Sequence, residues 1–153
     1  MIVEFDKEYM FLSNFYNASC TFEGQVYPTV EHAFQAAKTL DPEIRKMIAA
    51  APTPGKAKRL GREVKLRDDW EQVKTDVMKE CLISKFKFPP LRAELLATGN
   101  EELMEGNWWH DNTWGNCLCS KCQDIPGRTM LGMLLMEVRS EIRYEEAKKI
   151  CGS

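Results

Sequence analysis

The chain contains no apolar run near the 18 or so residues that cross a bilayer, and no basic-then-apolar leader. Neither a membrane span nor a secretory signal is therefore expected, and the expected compartment is cytoplasmic. An excess of one charge is also lacking. The 21 basic and 23 acidic side chains leave a formal net charge of −2, which argues against general electrostatic capture of nucleic acid. Histidine is scarce, with two residues and no His-Glu-x-x-His arrangement, so catalytic zinc is disfavoured. No internal repeat, linker or low-complexity tract occurs. With 44% hydrophobic residues in 153, a single domain spanning 1–153 with a real core is expected.

Six cysteines are present, and in a cytosolic chain these are expected to be reduced or metal-bound rather than paired. Three cluster as Cys117-x-Cys119-x-x-Cys122, one thiolate short of a closed structural zinc site. His110, Cys20 or Cys151 could supply the fourth ligand if the fold brings it close. A reduced or redox-sensitive loop is the competing reading.

The patterning predicts a mainly α domain with a small β element near its N-terminus. Ile2–Phe5 reads as a short strand and Phe11–Phe15 as a loop or turn. Ser19–Phe22 and Gln25–Tyr27 flank Glu23-Gly24, a hairpin turn. Helices are predicted to open at Thr29, at Asp41-Pro42, at Thr53-Pro54 and at Asp69, with Pro89-Pro90 stopping the last of these. Leu91–Thr98 forms a further helix ending at Gly99, Glu101–Glu105 a brief strand, and Thr129–Lys149 a final helix. The stretch 107–128 is poor in periodic apolar residues and rich in Asn, Asp, Gly and Cys, which marks a long functional loop.

One predicted helix carries chemistry beside its core face. In Tyr27–Lys38, Val30, Phe34 and Ala37 recur at i, i+4 and i+7, an apolar stripe. Glu31, Gln35 and Lys38 recur at the same spacing directly beside it. A carboxylate and an ammonium there form either a catalytic pair or a solvated ion pair, and the twelve residues alone favour the solvated face.

Three further segments are denser in polar and aromatic groups than packing requires. Ser13 and Asn14 offer hydrogen bonds between Phe11 and Phe15, either toward a flat ring or within a tight turn. Lys56, Lys58, Arg59, Arg62, Lys65 and Arg67 crowd into positions 56–67 ahead of Asp69-Trp70. That run is either a phosphate grip or a basic surface turn. Glu105–Gly115 holds Trp108, Trp109 and Trp114 together with Asp111, giving stacking walls for a nucleobase-like ring or a satellite core under the loop.

Taken together, Phe11-Leu-Ser-Asn-Phe15, Tyr27–Lys38, Gly61-Arg62, Leu66–Trp70, Asp111–Gly115 and Leu131–Arg139 resemble the NADAR superfamily of YbiA-like proteins. The resemblance covers nearly the whole chain. It implies a mainly helical fold and an N-glycosidase that cleaves C1′–N bonds. The substrates so implied are phosphoribosylamino-pyrimidine intermediates of riboflavin synthesis, or ADP-ribose attached to guanine. The family's glutamate and lysine fall on Glu31 and Lys38. Some relatives carry a cysteine cluster after the Trp-Gly and others a glycine-rich stretch. No cofactor is required on this reading, and structural zinc at Cys117, Cys119 and Cys122 is an open expectation.

The bond in question is an aminal, whose carbon can open to an imine. A neutral Lys38 could then form a Schiff base and expel the amine, with Glu31 moving protons. Alternatively, Glu31 acts directly on an oxocarbenium-like state with water as nucleophile. Around the pair, Trp70, Trp109 and Trp114 are expected as stacking surfaces, Arg62 and Arg67 as phosphate ligands, and Ser13, Asn14, Phe15, Gln35 and Asp111 as further substrate contacts. A non-catalytic ADP-ribose or nucleotide-binding module is the main rival, and a zinc-stabilised nucleic-acid adaptor a third reading.

Overall fold

A computed structural model of the chain describes residues 1–152. They are mainly helical, and the chain divides into two compact units: residues 14–87, and residues 1–13 together with the stretch from Phe88 onward. No helix among the described residues is long and apolar enough to cross a membrane.

The unit of residues 14–87 begins with the predicted hairpin. Strands β1 (Cys20–Phe22) and β2 (Gln25–Tyr27) pair antiparallel, with Cys20 opposite Tyr27. Glu23 and Gly24 both take positive φ, 47° and 82°, the geometry of a two-residue turn whose twist matches the strands. Four helices follow: α1 (Val30–Ala36), α2 (Pro42–Ala49), α3 (Pro54–Glu63) and α4 (Trp70–Lys85).

Their starts follow from local chemistry. Thr29, Asp41 and Thr53 hold extended backbone, and their side-chain oxygens accept from His32, Glu43 and Lys56 N–H respectively. Prolines sit in the first turns of α2 and α3, where no N–H is needed. α1 lies at the centre, packed by α2, α3, α4 and both strands. Every residue of α1 is buried, so the helix has no solvated face. The bland expectation for Glu31 and Gln35 fails on that packing.

The other unit starts with a 3-10 helix over Lys7–Leu12, where a loop or turn is expected from Phe11 onward. The expected strands at its two ends reduce to one parallel bridge between Ile2 and Leu103. α5 (Pro89–Ala97) and α6 (Met130–Gly152) pack on each other. Gly99 stands just past α5 with φ 65°, the left-handed conformation that closes helices. α6 buries Leu131, Leu134, Leu135, Val138 and Ile142. A Cβ at Gly132 would overlap the carbonyl oxygen of Leu103, so α6 approaches that segment at backbone distance. Arg139, 5% exposed, donates to Thr98 Oγ1 and to the Glu101 carbonyl, each at 2.8 Å. Between these helices lies the long loop, clamped by β3 (Gly106–Asn107) and β4 (Asn116–Cys117) in parallel register.

Candidate active site and His/Cys cluster

The helical ladder of α1 runs as far as the Ala37 N–H, which bonds the Ala33 carbonyl at 3.0 Å. The Lys38 N–H bonds Gln35 rather than continuing the helical ladder, so Lys38 lies on the closing turn, two residues beyond the last helical residue Ala36. The sequence pattern places it on the helix itself. The turn still holds it near Glu31, and each of the two groups feels the other's charge.

Glu31 is 7% exposed. Burial pushes its carboxyl above the usual range, opposed by a 2.7 Å hydrogen bond donated by Gln35 Nε2 and by the charges of Lys58 and Lys38. Lys38 is half-buried. Its amine is pulled below the usual range by burial first, while Glu31 resists the shift and Lys58 and Arg62 reinforce it. Low dielectric therefore drives the acid and the amine toward their neutral forms together. Among the described residues, no salt bridge fixes the Lys38 ammonium.

The supporting groups lie in the same unit. The Asn14 carbonyl accepts from Glu31 N–H at 3.1 Å. Its side chain, 8% exposed, donates to Met78 Sδ at 3.5 Å, and its Oδ1 has no hydrogen-bond partner. Gln35 Oε1 is likewise buried without one. A Cβ on Gly61 would overlap that oxygen, so α3 comes this close to α1 only because residue 61 lacks a side chain.

His32, next to Glu31, is 1% exposed and held at both ring nitrogens, by Thr29 Oγ1 at 2.8 Å and the Ala51 carbonyl at 2.9 Å. Nε2 must donate to the carbonyl, which leaves Nδ1 to accept from the hydroxyl. The histidine is a bracket between α1 and the end of α2.

Arg67 forks onto Asp69 at 2.6 and 3.1 Å, while its backbone N–H bonds the Lys38 carbonyl at 2.8 Å. It therefore ties the Lys38 turn in place. Arg62 is exposed on the last turn of α3. Trp70 is 6% exposed and packs on Phe34, with ring centroids 5.1 Å apart and tilted by 56°. Phe15 is 44% exposed. Ser13 closes the 3-10 helix and belongs to the other unit.

The remaining predicted residues gather in the long loop. Trp109 is 58% exposed and Trp108 62%, so these indoles do not form a satellite core. Trp114 is half-buried. Asp111 Oδ1 accepts from the backbone of Thr113 and Trp114, both at 3.0 Å. Asn107, fully buried, accepts from Trp109 and Asp111 N–H and donates to the Asp111 carbonyl. Cys117, Cys119, Cys122 and His110 come together, with one ligand atom from each within 4.8 Å of all the others.

Two lysines were not singled out from the sequence, and one expected ligand is now chosen among its alternatives. Lys58 belongs to the basic run, yet only its spacing to Gly61 and Arg62, one turn on, hints that it turns toward α1. Lys85 is 1% exposed beneath Tyr16 and beside Phe86, with its amine brought down to about 7 by burial. No pattern marks a lysine as a core residue. His110 is one of three candidate fourth ligands in the sequence, and the structure brings it to the cysteines.

A family model for the NADAR domain matches residues 3–143. The chain belongs to the NADAR family. Among curated relatives of this NADAR protein, N-glycosidase YbiA of Escherichia coli is 39% identical over 142 residues, covering 91% of this chain and 85% of that one. N-glycosidase Npun_R5314 of Nostoc punctiforme is 41% identical over 137 residues, covering 86% and 84%. A riboflavin biosynthesis protein, VVA0006 of Vibrio vulnificus, is 37% identical over 141 residues, 90% of this chain but 37% of its own length. The NMR structure of Escherichia coli YbiA superposes with a TM-score of 0.81 at 36% identity, covering 97% of this chain and 88% of that one. The YbiA-like helical fold is thereby established. This NADAR chain is accordingly an enzyme of the N-glycosidase class.

Proposed function

We propose that the enzyme hydrolyses the C1′–N bond of a phosphorylated ribosylamine, using Lys38 as nucleophile and Glu31 as proton carrier. The substrates that fit are phosphoribosylamino-pyrimidines of the riboflavin route and ADP-ribose linked to guanine. The observation that carries this reading is the opposed perturbation of Glu31 and Lys38 by one shared burial. Paired titratable groups pushed toward each other in this way suit acid–base and nucleophilic work.

In the scheme, the C1′–O bond of the sugar ring breaks, the ring oxygen takes up the proton that the base N–H gives up, and an imine forms between C1′ and the base nitrogen. Lys38 Nζ adds to C1′. Glu31 gives its proton to the base nitrogen, the C1′–N bond breaks, and a Schiff base to Lys38 remains. Glu31, now a carboxylate, takes a proton from water, which adds to C1′. Cleavage of the C1′–Nζ bond then releases the sugar aldehyde and restores the amine. The pair begins with one proton, either on the acid or shared, because a full Glu31–Lys38 ion pair would leave no lone pair for attack.

Lys58 and Arg62 supply positive potential for a phosphate while holding the Lys38 proton loosely. Asn14 Oδ1, buried without a partner, suits an N–H donor of the base. Asp111, Trp109 and Trp114 are assigned to the base or ribose, and Ser13, Phe15, Gln35, Arg67 and Trp70 to the binding or support of the substrate. The whole chain is taken to work as one domain. Zinc is the metal suited to the His/Cys cluster, and no step of the reaction passes through it.

The test is incubation with both substrate classes and with NAD, following release of sugar phosphate by mass. Borohydride added during turnover should leave a sugar adduct on Lys38. Turnover with no trapped adduct would shift the role to Glu31-assisted attack by water, and release from none of the panel would overturn the proposal.

A further inference from the structure

We propose that His110, Cys117, Cys119 and Cys122 bind one zinc ion in a closed structural site, and that this ion holds the tryptophan-bearing loop in shape. Bond lengths of about 2.3 Å to sulfur and about 2.0–2.1 Å to nitrogen give a tetrahedron with N···S edges near 3.6 Å. His110 Nδ1 lies 3.3 Å from Cys122 Sγ, 3.4 Å from Cys119 Sγ and 3.6 Å from Cys117 Sγ. Hydrogen bonding does not account for this convergence. One ring nitrogen carries either a single proton or a single in-plane lone pair, and cannot serve three sulfurs at once. A central cation serves all four atoms. Three sulfurs and one imidazole favour zinc over the oxygen-seeking cations. Four protein ligands also leave no position for water, so the site is structural rather than catalytic.

The loop has reason to need such an ion. Trp108, Trp109 and Ile125 are exposed at 62%, 58% and 50%, so the segment gains little from apolar burial. Its backbone is held by scattered backbone bonds, such as Arg128 N–H to the Asn112 carbonyl at 2.7 Å, and by single side chains. Besides Asn107 and Asp111, Asn112 accepts from Cys117 N–H at 2.9 Å and Asn116 from Gly127 N–H at 3.0 Å. His110 sits at φ 68°, a left-handed conformation that a non-glycine residue keeps only when its surroundings hold it there. Ligation of that residue between Trp109 and Asp111 would fix both neighbours. The importance of this for substrate rests on the glycosidase reading; the binding of zinc does not.

The experiment uses the full chain purified after growth with zinc. Metal content is measured by mass spectrometry, cobalt exchange by the thiolate charge-transfer band, and loop order by tryptic cleavage at Lys121 and Arg128. About one zinc per chain is expected, with chelation speeding cleavage at least about tenfold. Cys122→Ser should lose the metal, and His110→Cys, which restores four ligands, should keep it. A zinc-grown protein that is metal-free and refuses cobalt would overturn the proposal, as would full zinc retention in Cys122→Ser. Metal-free protein that still releases sugar defeats this inference alone. Zinc-bound protein with no activity on any of the panel defeats the glycosidase alone.

Discussion

The two parts of the molecule that carry chemically loaded side chains hold them by opposite means. α1 presents Glu31 and Gln35 from a helix buried on every side, so packing fixes them and desolvation sets their protonation. The 106–117 segment presents Trp108 and Trp109 largely to solvent, fixed by side-chain-to-backbone hydrogen bonds and by the His/Cys cluster. The proposed reactivity rests on the first arrangement, because burial is the leading cause moving its acid and its amine toward neutrality. The second leaves aromatic surface open to solvent, as the proposed stacking of a flat ring would require.

The sharpest way to break this comparison is to remove the buried pair. Lys38→Ala removes the proposed nucleophile and should abolish turnover, and Glu31→Gln should lower single-turnover rates by about 10²–10⁴-fold, the usual worth of an acid–base group. The fold should survive. The folded-state pKa of Glu31 lies above its unfolded value, so its ionisation weakens the fold as pH rises through that range. Glu31→Gln removes that effect, and a thermal melt at pH 8 should give a midpoint at or above the parent's. A large drop would mean that the carboxylate is a structural anchor.

Next in size is Gly61→Ala. The added methyl must displace the Gln35 amide, at a cost of about 1–3 kcal/mol in denaturant unfolding, with a loss of rate as Glu31 loses its donor. A neutral result would show that α3 can back away freely.

The pH profile of kcat tests the electrostatic half. Glu31 is raised from 4.5 and Lys38 lowered from 10.5, so the one-proton form of the pair predominates between limbs that both fall inside that interval. Activity should therefore be bell-shaped, with its acid limb above 4.5 and its alkaline limb below 10.5. Limbs at or outside those values would refute the burial argument.

Smaller effects are expected at the exposed groups. Arg62→Ala and Trp109→Ala should each raise KM by about tenfold while leaving kcat nearly unchanged, as lost charge-assisted or stacking contacts do. A kcat defect in Trp109→Ala would show that the open loop shares in the chemistry.

Much of the scaffold was legible because its boundaries are written in single residues. Asp41-Pro42, Thr53-Pro54 and the glycine at 99 start and stop helices by local hydrogen bonding and φ preference alone. The NADAR membership and the helical class were legible for the same reason, since they rest on ordered motifs. The complete burial of α1 was not, because whether Gln35 meets solvent depends on α3, and α3 is close only where Gly61 lets it be. Periodicity also overran the end of α1, since Ala36 to Lys38 continue a helical pattern that the turn at Gln35 interrupts. The strands expected near Ile2 and Leu103 shrank to one bridge, because pairing there depends on residues a hundred positions apart. The assembly of His110 with three cysteines was legible only as one of three alternatives, since spacing offered Cys20 and Cys151 equally.

The parallel pairing of Gly106–Asn107 with Asn116–Cys117 has a mechanical consequence. Parallel neighbours are ordinarily joined by a crossover of a dozen or more residues, and here residues 108–115 must make the passage alone. Eight residues reach far beyond the roughly 5 Å between paired strands, so chain length leaves the passage slack, and whatever rigidity the tryptophans have must come from the cross-links inside the loop at Asn107, Asp111 and Asn112.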